Sequence, residues 1–120
     1  MSRPFDYKRA DRVSELLKHE ISQIVLREVK DPAVGEVTIT RVQVTDDLRM
    51  ATVSFGVLDR IDEAEQVTES LQRAAGHIQR LLGKRLRLRF IPRLTFQFDR
   101  NLDYSLKISK LLQDIEEEEN

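Results

Sequence analysis

EVTITRVQVTDDLRMATVSFGV, residues 36–57, sets two runs of β-branched side chains around a polar turn, and its reading decides how the rest of the chain must fold. Ala51, Val53, Phe55 and Val57 alternate with Met50, Thr52, Ser54 and Gly56, so one face of the second run is apolar and the other small or polar. The first run changes phase, from Val37 and Ile39 to Val42 and Val44, which predicts a bulge near Thr40-Arg41. Thr45-Asp46-Asp47-Leu48 carries turn chemistry between them, and the stretch reads as an antiparallel hairpin.

Outward from the hairpin the period changes to that of a helix. Upstream, Val13, Leu16, Leu17, Ile21, Ile24 and Val25 predict an amphipathic helix over Tyr7 to Val29, ended by Asp31-Pro32 and Gly35. Downstream, Ala64, Val67, Leu71, Ala74, Ile78, Leu81 and Leu82 predict another from Asp62 onward. Ala74-Ala75-Gly76 interrupts it: a mid-helix glycine costs about 1 kcal/mol relative to alanine, so a kink between two helices or a close backbone contact is expected there. Gly83 is the expected cap of the second piece. A strand at Leu94–Phe98 follows Pro92, and Tyr104, Ile108, Leu111, Leu112 and Ile115 predict a short C-terminal helix. The expected fold is α+β: helices on one face of a three-stranded sheet, with a right-handed crossover between the second and third strands.

At 120 residues, 40% hydrophobic and 34% charged, the chain reads as one domain over residues 1–115, with 116–120 as an acidic, disordered tail. It has no cysteine, which fits a reducing compartment. Residues 1–13, MSRPFDYKRADRV, lack the apolar core of a signal peptide, and no run approaches the roughly 20 apolar residues of a membrane span. A cytoplasmic protein without a membrane partner is the expectation.

The net charge of −1 conceals a strong polarity. Residues 31–69 hold 3 bases against 9 acids, whereas residues 70–98 hold 7 bases and no acid; the chain then ends in Glu116–Glu119. Five of those bases fall in LLGKRLRLRFIPRL, residues 81–94. On a helix, Arg73, His77, Arg80 and Lys84 form one stripe. After Gly83, the alternation of Arg85, Arg87 and Arg89 with Leu86, Leu88 and Phe90 puts cations on one side and core anchors on the other. Stripe and strip are expected to merge into one positive surface, extended by Arg3, Lys8, Arg9 and Arg12. Solvated charge is the plain alternative, but solvated faces ordinarily mix signs.

Catalysis has no obvious seat. The only histidines are His19 and His77, and Gly35, Gly56, Gly76 and Gly83 form neither a P-loop nor a dinucleotide fingerprint. Neither a metal nor a cofactor is expected, and Asp46-Asp47 reads as a turn rather than a carboxylate pair. With Phe90, Phe96 and Phe98 assigned to the core, no exposed aromatic platform for unpaired bases is expected, so duplex or folded RNA held by shape and phosphate fits best.

The chain resembles the bacterial ribosome-binding factor A family along nearly its whole length. The resemblance is carried by SRPFDYKRADRVSELLKHEISQIVLREVKDPAV, by VTDDLRMATVSF, by AAGHIQRLLGKRLRLRFIPRLTFQFD and by LDYSLKISKLL. It implies a KH-like fold of type II, in the order helix, strand, strand, helix, kink, helix, strand, in which the kink Ala74-Ala75-Gly76 stands in place of a GxxG clamp; a short C-terminal helix is added. It also implies a non-enzymatic assembly factor of the free small (30S) ribosomal subunit and its 16S rRNA, linked to late maturation, 5′-end processing and growth in the cold. Arg73, His77, Arg80, Lys84, Arg85, Arg87 and Arg89, with Lys8, Arg9 and Arg12, would then face rRNA phosphates. A monomer is expected, with other assembly factors as further partners. A basic-faced adaptor for an acidic protein is the competing expectation.

Overall fold

The apolar face of the hairpin and its two open edges all need cover, and the amphipathic helices supply it. The computed structural model describes residues 4–29, 37–58 and 60–119, with the side chains of 4–8, 102, 103, 106 and 119 outside that description. Helix α1 spans Pro4–Glu28, β1 Thr38–Val44, β2 Met50–Gly56, α2 Ala64–Arg85 after one 3-10 turn at Ile61–Glu63, β3 Arg93–Phe98, and α3 Arg100–Glu119. Proline opens α1, where its missing N–H costs nothing. The stop expected at Asp31-Pro32 and Gly35 lies outside the described residues.

β1 pairs antiparallel with β2, and the register shifts between Ile39 and Arg41, where the phase change predicted a bulge. Thr40 is the extra residue, and its hydroxyl is buried without a hydrogen-bond partner. In the turn, the Thr45 hydroxyl donates to Asp47 Oδ1 at 2.6 Å and the Arg49 N–H donates to the same oxygen at 3.1 Å. Those two bonds hold the Asp47 carboxyl below the ordinary aspartate range. Leu48 takes a left-handed φ of 62°, unfavourable for a side chain of its size, while packing against the core.

β3 returns parallel to β2, with Met50 opposite Arg93 and Phe55 opposite Phe98, giving the order β1-β2-β3. Two edge strands result, and each is clipped by a helix side chain. Val44 N–H donates to Ser14 Oγ at 3.1 Å on the β1 edge. On the β3 edge Gln72 mimics a neighbouring strand: its Nε2 donates to the Leu94 carbonyl and its Oε1 accepts from Phe96 N–H, both at 3.0 Å.

Between the sheet and the α1/α2 layer, Leu17, Ile21 and Ile24 meet Val53, Phe55, Leu71, Ile78, Leu82 and Leu94, all 1% exposed or less. Leu16, expected inside, stands on the flank of α1 and is 41% exposed.

Two expected features are corrected. α2 runs as one helix through Ala74-Ala75-Gly76 and through Gly83, and closes at Leu86, whose N–H donates to the Leu82 carbonyl. Seven buried residues on its core face keep it helical across a glycine whose local cost is only about 1 kcal/mol. A Cβ at Gly76 would meet nothing within 4 Å, so no close contact demands glycine there either. The second correction is at the C-terminus. α3 is 20 residues long and helical through Glu119, where a disordered tail was expected from 116; Asn120 lies outside the described residues. Its chief contact with the rest of the fold is with β2, and Tyr104, Ile108, Leu111, Leu112 and Ile115 remain exposed along it.

Candidate nucleic-acid interface

α2 turns its core face down with Val67, Leu71, Ile78 and Leu82, which leaves the opposite face to Arg73, His77, Arg80 and Lys84. All four are exposed and, at spacings of 4, 3 and 4, stand in one stripe. Arg73 also donates to the buried Ser70 hydroxyl at 3.1 Å, which steadies the N-terminal end of the stripe. The unbroken helix is what keeps the four aligned: a sharp kink at Gly76 would turn Arg73 away from the rest.

Arg85 departs from its expected role. It points across to α1, with Nη1 3.9 Å from Glu20 and Nη2 3.6 Å from Glu28. The acid-free stretch 70–98 is therefore not acid-free in space, and the positive surface is interrupted where two α1 carboxylates neutralise Arg85. The pairs are long and partly solvated, so they are worth under about 1 kcal/mol each, but they bias Arg85 toward bracing α2 against α1.

Beyond α2 the chain is irregular from Leu86 to Pro92. The expected alternation holds for four residues: Leu86 and Leu88 pack against the core while Arg87 and Arg89 are exposed. A bend at Arg89-Phe90 then slips the phase by one, so Ile91 takes the inward place and Phe90 is left 47% exposed. The assignment of Phe90 to the core is thus overturned. Phe96 and Phe98 do turn inward, and Phe98 packs against Phe55 with ring centroids 5.9 Å apart.

Arg9 and Arg12 are exposed on α1; the Lys8 side chain and Arg3 lie outside the described residues. Arg9 meets Arg89 and Phe90 along a cleft beside the hairpin turn. Sequence reading missed Arg49, which sits in the acidic segment 31–69. Parallel pairing of β3 on β2 brings it beside Arg93, whose N–H donates to the Arg49 carbonyl at 2.8 Å, and both arginines line a shallow groove with Asp46 and Asp47. Its only sequence signal is its place at the start of a strand that the fold pairs with the basic segment.

Among the described residues no group of three His, Cys, Asp or Glu side chains is placed to hold a metal, and no helix is long and apolar enough to cross a membrane. What the arrangement offers is cations: a helical stripe, and a second group where α1, the hairpin turn and the segment after α2 converge.

Sheet, helices and stripe define a KH-like α+β domain built around a cationic helix face. The family model for ribosome-binding factor A matches residues 9–112, and the chain belongs to that family. Its relatives include the ribosome-binding factor A of Syntrophobacter fumaroxidans, 43% identical over 95% of this chain and 99% of that one. That of Staphylococcus carnosus is 44% identical over 89% and 93%. Among solved structures, the crystal structure of ribosome-binding factor A from Thermus thermophilus matches with a TM-score of 0.66 at 21% identity, over 74% of this chain and 93% of that one. A homology model of the Thermus thermophilus factor, fitted into a cryo-EM map of a 30S complex, matches at 0.61 and 24%, over 72% and 91%.

Proposed function

We propose that this chain is a cytoplasmic, non-catalytic assembly factor that docks on the free small ribosomal subunit and assists its late maturation, including processing of the 16S rRNA 5′ end. The observation that carries the reading is the exposed stripe Arg73, His77, Arg80 and Lys84, set along one face of a continuous helix in a member of the ribosome-binding factor A family. Arg87, Arg89, Arg9 and Arg12 add further exposed cations, and Lys8 belongs to the same set by sequence. Phosphates neutralised by such a face release counterions, which gives affinity that is sequence-independent and salt-sensitive. Docking of this kind asks for no clamp, no metal and no cofactor. Arg85 plays a bracing part and contributes to binding only through the position of α2.

Co-sedimentation of the purified protein with isolated small subunits, at low and moderate salt and with intact ribosomes for comparison, tests the reading. Expected is binding to free subunits that weakens with salt and is absent from intact ribosomes. No binding at either salt would defeat it and move the search to an acidic protein partner.

A further inference from the structure

Where α1, the hairpin turn and the segment after α2 converge lies a site whose chemistry differs from that of the α2 stripe. Phe90, 47% exposed, lines with Leu88, Pro92, Val13 and Leu48 a cleft of about 190 Å³ whose charged lining is Arg9, Arg89, Asp46 and Asp47. Ligand pockets for drug-sized molecules run from about 300 Å³ upward, so this one has room for a single flat heterocycle. Its polar groups are unspent: among the described residues the side chains of Arg9, Arg89 and Asp46 make no hydrogen bond or ion pair. Asp47 is an acceptor too, with Oδ1 already taken by Thr45 and Arg49. The left-handed Leu48 delivers its side chain to the same wall.

An exposed aromatic flanked by arginines is a platform on which a base stacks while the cations hold the adjoining phosphates. The carboxylates add selectivity, because they accept from an exocyclic amino group, which uracil lacks: its one edge donor, N3–H, sits between two carbonyl oxygens that a carboxylate repels.

Resting on the RNA-docking reading above, we propose that this cleft takes one unpaired amino-bearing base of the RNA, adenine, guanine or cytosine, stacked on Phe90 with its amino group on Asp46 and its flanking phosphates on Arg9 and Arg89. The domain then grips RNA in two ways, by backbone along α2 and by a single splayed base at the hairpin turn.

The chain has no tryptophan, so Phe90→Trp installs a lone reporter. Fluorescein-labelled hexamers of A, C and U are titrated by anisotropy, and Phe90→Leu is compared with wild type on both the hexamers and isolated small subunits. Expected are quenching of the tryptophan by the A and C hexamers, weaker binding of the U hexamer, and a loss of about 5- to 100-fold in A-hexamer affinity for Phe90→Leu at an unchanged salt slope. The proposal is overturned if Phe90→Leu binds subunits and hexamers like wild type, or if the tryptophan does not respond to a hexamer that anisotropy shows to be bound. Equal affinity for the U hexamer overturns the part given to Asp46. If wild type binds neither hexamers nor subunits, the docking reading itself fails; salt-sensitive wild-type binding with an indifferent Phe90→Leu sinks the stacking site alone.

Discussion

Gly76 separates two accounts of α2. In one, the glycine marks an interruption and any Cβ there harms the fold. In the structure, α2 is continuous from Ala64 to Arg85 and a Cβ at Gly76 meets nothing within 4 Å. Gly76→Ala then removes the helix-interior cost of glycine, a gain of about 1 kcal/mol drawn largely from reduced freedom of the unfolded chain. Valine, itself poorer than alanine in a helix by up to about 0.7 kcal/mol, recovers only a few tenths. For a domain of 120 residues, 1 kcal/mol corresponds to a rise in Tm of about 3–5 °C. Thermal and urea denaturation of the wild type, Gly76→Ala and Gly76→Val therefore give the order Ala above Val, with Val close to wild type and the urea m-value unchanged. Gly83→Ala adds a smaller gain, since that position lies in the last turn and its Cβ would make only an ordinary contact with Ile91 at 3.8 Å. A fall in Tm for Gly76→Ala refutes the reasoning, because it would mean that the helix does need to break or bend at this residue.

Three further outcomes are expected. Arg80→Ala with Lys84→Ala weakens small-subunit binding and lowers the slope of log affinity against log salt by about 1.4 to 1.8, at about 0.7 to 0.9 per phosphate contact; an unchanged slope would remove both residues from the interface. Gln72→Ala opens the β3 edge by removing two 3.0 Å hydrogen bonds and costs about 1–2 kcal/mol, read as a lower urea midpoint; an unmoved midpoint would show that water substitutes for the amide. Asp47 has a carboxyl pKa lowered in the folded state, so its contribution to stability is complete above the unfolded aspartate value and is lost as pH falls through the lower folded one. Asp47→Asn accordingly narrows the gap to wild type as the pH drops below about 4, and an NMR titration placing the Asp47 carboxyl at the ordinary aspartate value would contradict the assignment.

Legibility in the sequence followed the range of the forces involved. The bulge at Thr40, the turn at Asp46-Asp47 and, Leu16 apart, the inward faces of α1 and α2 were readable because side-chain periodicity is set by local backbone geometry. The stripe from Arg73 to Lys84 was readable for the same reason. Reading failed where a local rule met a distant partner. Gly76 and Gly83 signalled breaks, but packing of Val67, Leu71, Ile78 and Leu82 against the sheet outweighs the preference of two residues. Phe90 fitted the alternation until a bend at Arg89-Phe90 shifted the phase, and hydrophobicity alone said inside.

What the sequence by itself determined, then, is the set of elements, their apolar faces and the segregation of charge, each a property of neighbours within a few residues. Tertiary structure alone decided that Glu20 and Glu28 would neutralise Arg85, that Ser14 and Gln72 would close the two sheet edges, and that Arg9, Asp46 and Phe90 would share one cleft. These are meetings between residues far apart in the chain, fixed by the joint burial of one core, and no window along the sequence contains them.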